Sequence, residues 1–431
     1  MHDVLLIICL LVKNTLGFID YYFRHSVYKV AIKNVDEIKI LNDLENQLFL
    51  DVWSHALPGK PGQILVSKIQ KNAFEDALTA AGVEYAIEVE NVKDLLELED
   101  QKLAATASRR DRNSSRISFD AILTYDEVNQ IIDNLAEKYP NVVSVAVAGR
   151  SIEGRPIRYL KISKTNFQDN NKPIVMMQSL LHCREWVGLP ATLYALHKLV
   201  IDVTESDLID NIDWIVVPIV NPDGYIWTHT NARFWRKNRR TGIFIGDACA
   251  GIDLNRNFNI NWGTASSASV CQETYHGTGP MSEPESQAVG NILSMYQGRI
   301  ALYFDIHSFG SMILYGYGNG VLPSNALTIH MVGVRMAQAI DAVKWSNKPN
   351  YVVGNIAHVL YDASGGASDY AMVAGVPLTY TFELPAFNNV NWHLNGFLVD
   401  PEFIEQAGFE TWEGIKAGAR YLLEVRKSLK N

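Results

Sequence analysis

Two histidines and a glutamate give the first chemical lead in this sequence. His182 and Glu185 stand three residues apart in Leu180-Leu-His-Cys-Arg-Glu-Trp186, directly after an apolar run that ends at Ser179. His307-Ser308 follows a second apolar run that ends at Ile306. At a strand-to-helix turn, a spacing of three lets His182 and Glu185 point at one ion. Two His and one carboxylate form a catalytic zinc set, because three protein ligands leave one coordination position open. An HxxE pair alone arises often by chance, and a single His after a strand is commonly just hydrogen-bonded.

Further runs bear on the same chemistry. In Gly251-Ile-Asp-Leu-Asn-Arg-Asn-Phe258, Asp253 can accept from a ligating His and fix its tautomer. Asn255 and Arg256 of that run can bind a carboxylate, since a guanidinium forks two N–H groups onto two oxygens. The bland alternative is a polar loop whose Asp and Asn make turns. Arg236, in Asn231-Ala-Arg-Phe-Trp-Arg-Lys237, is a candidate donor to a developing oxyanion; otherwise the run is a basic face with packed aromatics. Glu383 ends an apolar strand, Thr379-Tyr-Thr-Phe-Glu-Leu384, where an acid without a role is costly. Tyr361 opens a glycine-rich turn to Gly366 and could act as a mobile lid.

The elements that must position these residues alternate from Ile117 onwards. Thr124-Tyr-Asp-Glu127 is a capping box that opens a helix to Lys138. Val142–Ala148, Arg158–Ile162, Ile174–Ser179, Ile212–Val217 and Ala301–Ile306 read as strands, and Leu189–Val200 and Ala326–Lys344 as helices. This is an α/β pattern, a three-layer mixed sheet with helices on both faces, in which ligands bind beyond the carboxyl ends of strands. Upstream, Tyr28–Ile32, Asp36–Leu48, Leu50–Trp53, Gln63–Val66, Asn72–Ala81 and Tyr85–Val89 run β-α-β-β-α-β, a small α+β open sandwich, followed by an acidic helix over Val92–Leu103. Ser108–Arg116 carries four Arg in nine residues and reads as an exposed linker open to trypsin-like cleavage after Arg110, Arg112 or Arg116. Asn113-Ser-Ser115 inside it is a glycosylation sequon.

Composition narrows the class. The chain has 431 residues, a net charge of −9, 48% hydrophobic and 20% charged residues, which excludes a disordered protein and a general phosphate-backbone binder. Val4–Val12 is a nine-residue apolar run before Thr15-x-Gly17, too short to span a bilayer and placed like a signal peptide. No later stretch reaches membrane length. The expectation is a secreted, extracellular protein with no nucleic-acid or membrane partner.

Taken in order, the motifs resemble those of the zinc carboxypeptidases of the pancreatic and insect-gut type, made as procarboxypeptidases. The runs are HxREW at 182–186, NRxWRK at 231–237, GxDxNRNF at 251–258, IHS at 306–308, YxASGG at 361–366 and TFEL at 381–384. The resemblance implies a signal peptide over 1–17, an activation domain over 18–107, a linker over 108–116 and a catalytic domain over 117–431. It implies one Zn2+ on His182, Glu185 and His307, with Glu383 as general base and Arg236 as the oxyanion donor. Asn255, Arg256 and Tyr361 would grip the substrate's C-terminal carboxylate, with Arg184 beside them in an adjacent subsite. Cys249 and Cys271 would pair, leaving Cys183 beside the metal as a buried thiol. The specificity pocket would be lined by Leu314, Gly318, Ile356, Leu360, Ala363, Ser368 and Thr381. Family members that cut Lys or Arg carry Asp at the position of Ser368; a small neutral floor implies neutral, aliphatic or aromatic C-terminal residues. Phe309 replaces a frequent Tyr, and the stretch from Pro385 to Phe397 departs from the usual loop. Implied partners are peptide C-termini and an activating trypsin-like protease, acting on a monomer. The alternative is a catalytically silent, secreted peptide-binding relative, which would usually lack a zinc ligand or the general base.

Overall fold

Strand residues that are apolar on every position need cover on both faces, and the central strands of this chain are of that kind. The computed structural model describes residues 22, 24–107, 117–243, 249–386 and 396–430; the expected leader, the linker with Asn113 and most of the stretch after Leu384 lie outside them.

The N-terminal unit contains β1 (Ser26–Ala31), α1 (Val35–Leu48), β2 (Asp51–Ser54), β3 (Gly62–Val66), α2 (Lys71–Ala81), β4 (Glu84–Val89) and α3 (Val92–Ala107). Asn34 starts α1 by accepting from the Asp36 and Glu37 backbone N–H groups. Gly82 ends α2 at a left-handed φ of 70°. The antiparallel sheet runs β2-β3-β1-β4. Tyr28, Val30, Ile64 and Val66 pack on one face with Phe74 and Leu78 of α2. Val27, Trp53, Leu65 and Val89 face the other way and pack against Phe234 and Phe397 of the larger unit. The small sheet is thus a sandwich whose open face is closed by the rest of the chain. The helix expected over Val92–Leu103 continues to Ala107, where it lies against the larger unit.

The larger unit adds α4 (Tyr125–Lys138), β5 (Val143–Arg150), β6 (Pro156–Ile162), β7 (Ile174–Ser179), α5 (Gly188–Val200), α6 (Ser206–Asn211), β8 (Asp213–Val217) and α7 (Pro222–Thr230). It continues with α8 (Pro284–Met295), β9 (Ile300–Ser308), β10 (Met312–Tyr315), α9 (Ala326–Asp341), β11 (Val352–Asn355), α10 (Ile356–Val359), α11 (Ala367–Val373), β12 (Leu378–Leu384) and α12 (Pro401–Lys430). The capping box forms: Thr124 Oγ1 accepts from Glu127 N, and Thr124 N donates to Glu127 Oε2. Eight strands make one mixed sheet in the order β11-β10-β12-β9-β7-β8-β6-β5. Its centre, β8-β7-β9-β12, is parallel.

Alternation along those strands sorts the core into two layers. Val175, Met177, Trp214, Val216, Phe304 and Ile306 pack with α4, α5, α9 and α12. Ile174, Met176, Ile215, Val217 and Tyr303 pack on the opposite face with α8 and α11. The 30-residue α12 has no counterpart among the expected elements. Its glycines allow close helix contact: a Cβ on Gly408 would lie 2.7 Å from Tyr194 Cβ of α5. Among the described residues no helix is long and apolar enough to cross a membrane.

Candidate active site

The parallel strands end side by side, so the residues just beyond them share one rim. After β7 the chain turns through Leu180, whose φ of 56° is left-handed, and the turn returns His182 and Glu185 to the strand end. His307 lies near the end of β9 and pairs in register with Glu383 of β12. That register places the acid beside the metal candidates without any loop to position it.

His182, Glu185 and His307 are buried, and one donor atom from each lies within 4.8 Å of the others. Glu185 Oε1 is 2.9 Å from His182 Nδ1, and Oε2 is 2.8 Å from His307 Nδ1. The two Nδ1 atoms are 3.1 Å apart. Two imidazole nitrogens and a carboxylate converging in a dry site fit Zn2+, which prefers such N/O ligands in tetrahedral array. The outer nitrogens turn away from the centre. His182 Nε2 meets Asp253 Oδ1 at 3.0 Å, and His307 Nε2 lies 2.9 Å from Asp305 Oδ2. Burial opposes the charge on Glu185, but His182 and His307 hold its carboxyl well below the ordinary range. Burial and the Glu185 charge push Glu383 up to about 8, against the pull of His307 and Arg236.

Asp253 is shared. Its Oδ2 accepts from Arg236 Nε at 3.1 Å and Nη2 at 2.9 Å, which leaves Arg236 Nη1 without an acceptor among the described residues. Burial would raise Asp253, yet Arg236 and His182 hold it well below its usual value. Asn255 N donates to Asp253 Oδ1, and Asn255 Oδ1 accepts from Ala367 N at 2.8 Å. Arg256 Nη1 donates to Asn255 O, while its buried Nε has no acceptor among the described residues. The Arg256 guanidinium lies 5.9 Å from the Tyr361 ring centre. Asn255, Arg256 and Tyr361 therefore lie together, and Arg256 Nε is a cationic donor without an acceptor among the described residues.

Ser368 Oγ and Thr381 Oγ1 bond each other at 2.7 Å, and Leu314 pairs opposite Thr381 across β10 and β12. Ile356 opens α10 directly after β11, the partner of β10. Gly318 N donates to Asp369 Oδ2, and a Cβ on Gly318 would fall 2.3 Å from Ala363 O, so only glycine fits there. Cys249 and Cys271 are bridged, and Cys183 is a buried free thiol whose Sγ donates to Trp235 O.

The N-terminal unit reaches into this region. Arg184, expected to line a subsite, is 1% exposed and donates to both oxygens of Asp51 at 2.8 Å. Arg233 is bonded by both oxygens of Glu99 at 2.8 and 3.1 Å, with its guanidinium 3.6 Å from the Trp186 ring centre. The His55 ring packs on Tyr361 at 4.3 Å between centres. Motif reading missed Asp51, His55, Glu99, Arg233, Gln178 and Asp305. For Asp305 a signal exists: it stands two residues before His307 on a strand, hence on the same side. For the activation-unit residues no local signal exists.

Residues 128–414 match the family described as zinc carboxypeptidase, and residues 28–99 match the carboxypeptidase activation peptide. Carboxypeptidase B of Helicoverpa zea is 42% identical over 407 residues, covering 93% of this chain and 94% of that protein. Carboxypeptidase A1 of Bos taurus is 31% identical, covering 95% and 96%. Among solved structures, carboxypeptidase A from Helicoverpa armigera superposes with a TM-score of 0.91 at 63% identity, covering 93% of this chain and 97% of that one. A two-His, one-Glu centre at the rim of a mixed sheet, preceded by an activation unit, thus has full-length relatives on both sequence and structure: the chain belongs to the zinc carboxypeptidases, as a metallocarboxypeptidase zymogen that takes one zinc.

Proposed function

We propose that this zymogen is secreted, is cut in its arginine-rich linker by a trypsin-like protease, and then acts as a monomer that removes neutral C-terminal residues from peptides. The observation that carries the catalytic part is the convergence of His182, Glu185 and His307 beside Glu383, with Arg236 bonded to the carboxylate that also holds His182. A silent relative would be expected to have lost one of these; all are present.

The residues divide the work. Arg256, Asn255 and Tyr361 bind the free C-terminal carboxylate, which an internal peptide bond does not offer, so the enzyme is an exopeptidase. Arg184 contacts the chain upstream once Asp51 has left. Zinc held by His182, Glu185 and His307 supplies a Lewis acid that polarises the scissile carbonyl, acidifies water and favours the charged form of Glu383. Glu383 takes the proton of the attacking water and gives it to the departing amine, a transfer that a raised carboxyl value suits. Arg236 donates to the oxyanion with the N–H that Asp253 leaves free.

The preference rests on the pocket floor. Ser368 and Thr381 satisfy each other, so a cationic or anionic terminus would lose its hydration there without a partner. The relatives are named both carboxypeptidase A and B, so the floor residues are the better guide. Blocked dipeptides ending in Phe, Leu, Lys and Glu decide it: the highest kcat/KM is expected for Phe or Leu, and a maximum for Lys or Glu sinks the preference. Replacing Ser368→Asp should raise kcat/KM for the Lys substrate by ~10- to 100-fold, the range for a buried charge-assisted pair.

A further inference from the structure

The two metal histidines do not have equivalent surroundings. His182 Nε2 faces Asp253, but Asp253 is also committed to Arg236. His307 Nε2 faces Asp305, a residue with no other catalytic neighbour to hold. We propose that Asp305, itself held by Gln178, is the positioning residue of the second metal histidine, keeping the His307 proton on Nε2 so that Nδ1 is free for the ion. The inference rests on zinc binding at His182, Glu185 and His307.

Strand geometry puts the groups together. Asp305 and His307 are two apart on β9 and project to the same side. Both are buried, and Oδ2 of the acid lies 2.9 Å from Nε2 of the imidazole. The approach is off the ring N–H axis, so the pair stands at ion-pair distance without a formed hydrogen bond, and Oδ2 has no hydrogen-bond partner among the described residues. Oδ1 is fixed by Gln178 Nε2 at 2.9 Å, and Gln178 sits opposite Asp305 in the β7–β9 register. A buried carboxylate with one amide donor is costly to maintain, and the imidazole N–H at 2.9 Å is the neighbour placed to compensate it with a small turn of either group.

A second neighbour would favour the opposite tautomer. Asn255 Nδ2 is 3.5 Å from His307 Nε2, and as a donor it would want a lone pair there. Its amide cannot be reversed without losing the bond from Ala367 N to its Oδ1. At 3.5 Å a neutral amide is a weak competitor for a carboxylate at 2.9 Å. Asp305 therefore decides the tautomer.

The test is zinc affinity, read apart from turnover. Full-length zymogen with Asp305→Asn or Gln178→Met is dialysed against a zinc-buffering chelator, and bound metal is measured by atomic absorption. Asp305→Asn should weaken zinc binding by ~10- to 100-fold, the usual effect of losing a ligand's hydrogen-bonding partner. Gln178→Met, which keeps the acid and frees it to turn, should weaken it about threefold or more. The metal-free melting temperatures should stay within a few degrees of the wild type, because the loss is one of ligand preparation. Zinc affinity of Asp305→Asn within twofold of the wild type overturns the proposal. If that variant does not fold, Gln178→Met decides alone, and an unchanged affinity overturns the proposal equally. A wild-type chain that takes up no zinc would instead sink the metal assignment beneath it.

Discussion

In the proposed mechanism Glu383 is the general base, and its place comes from strand register: it stands opposite His307 on the neighbouring strand. Replacing Glu383→Gln keeps the shape and removes the base. The expected loss in kcat is ~10²- to 10⁴-fold, with KM changed only a few-fold and zinc content unchanged. A variant that retains full kcat would remove Glu383 from the mechanism and leave the fold assignment intact. The three metal candidates were readable in the sequence because each sits within a few positions of a strand end, in a short run whose spacing is itself the geometry. His182 and Glu185 are the plainest case. Asp305 carries the same mark as Glu383, an acid in an apolar strand, but it gains a role only when it is set against the ring two residues on, and motif reading did not make that connection.

Elements place these groups through close backbone contacts more than through side chains. The turn after Tyr361 docks on the loop that carries Asp253 and Arg256: Phe258 N donates to Gly365 O, and Gly365 N donates to Ile260 O. Gly365 has a φ of 68°, and a Cβ there would lie 2.3 Å from Arg256 O. The glycine is therefore a spacer between two halves of the proposed carboxylate clamp. Gly365→Ala should raise KM about tenfold with a smaller change in kcat, and cost ~1–3 kcal/mol of stability by overpacking. Steady-state kinetics and urea unfolding check both, and an unchanged KM would separate the turn from the clamp. Local periodicity predicted most of the elements that flank the site, because two-sided burial writes an apolar run for each strand. It gave no warning of α12, whose glycines make sense only against Tyr194, Ile340 and Met336, residues far away in the chain.

Over the whole molecule, the two units meet through an apolar seam and through charge, and two of the titratable groups there shift with opposite sign. Burial, Asp51 and Glu273 push Glu45 up to about 7. Release removes Glu273 and the burial against the larger unit while Asp51 leaves with Glu45, so the docked unit holds the proton more tightly, a contribution present at acidic pH and lost as pH rises through about 7. Burial, Arg256 and Arg236 push His55 down to about 4. Its neutral form is favoured on docking, so its contribution is complete above 6.5 and is lost as pH falls through about 4. Docking should be tightest at about pH 5–6 and loosen towards pH 8. The ratio of zymogen to cleaved-enzyme activity on one small dipeptide should accordingly be lowest there and rise several-fold by pH 8; a flat ratio contradicts the linkage. His55→Ala should raise the zymogen's share of activity at every pH, since it removes the ring that covers Tyr361. None of this was legible beforehand. Asp51, His55 and Glu99 acquire meaning only from arginines and a tyrosine far along the chain, and no spacing rule connects them.

The pairing of Arg184 with Asp51 and of Arg233 with Glu99 has a further consequence for the proposed activation by cleavage. The departing unit would take both carboxylates with it, leaving two guanidinium groups that keep only carbonyl and aromatic partners, and hence a cationic trough without a counter-charge from that unit. Such a trough attracts any chain that brings negative side chains just upstream of its terminus, and dissolved ions weaken that attraction. Acidic peptides should therefore bind the freed enzyme best in dilute buffer and lose affinity as salt is added, while uncharged peptides of equal length stay indifferent. The inhibitory segment, in this view, is a template of what the groove will next hold.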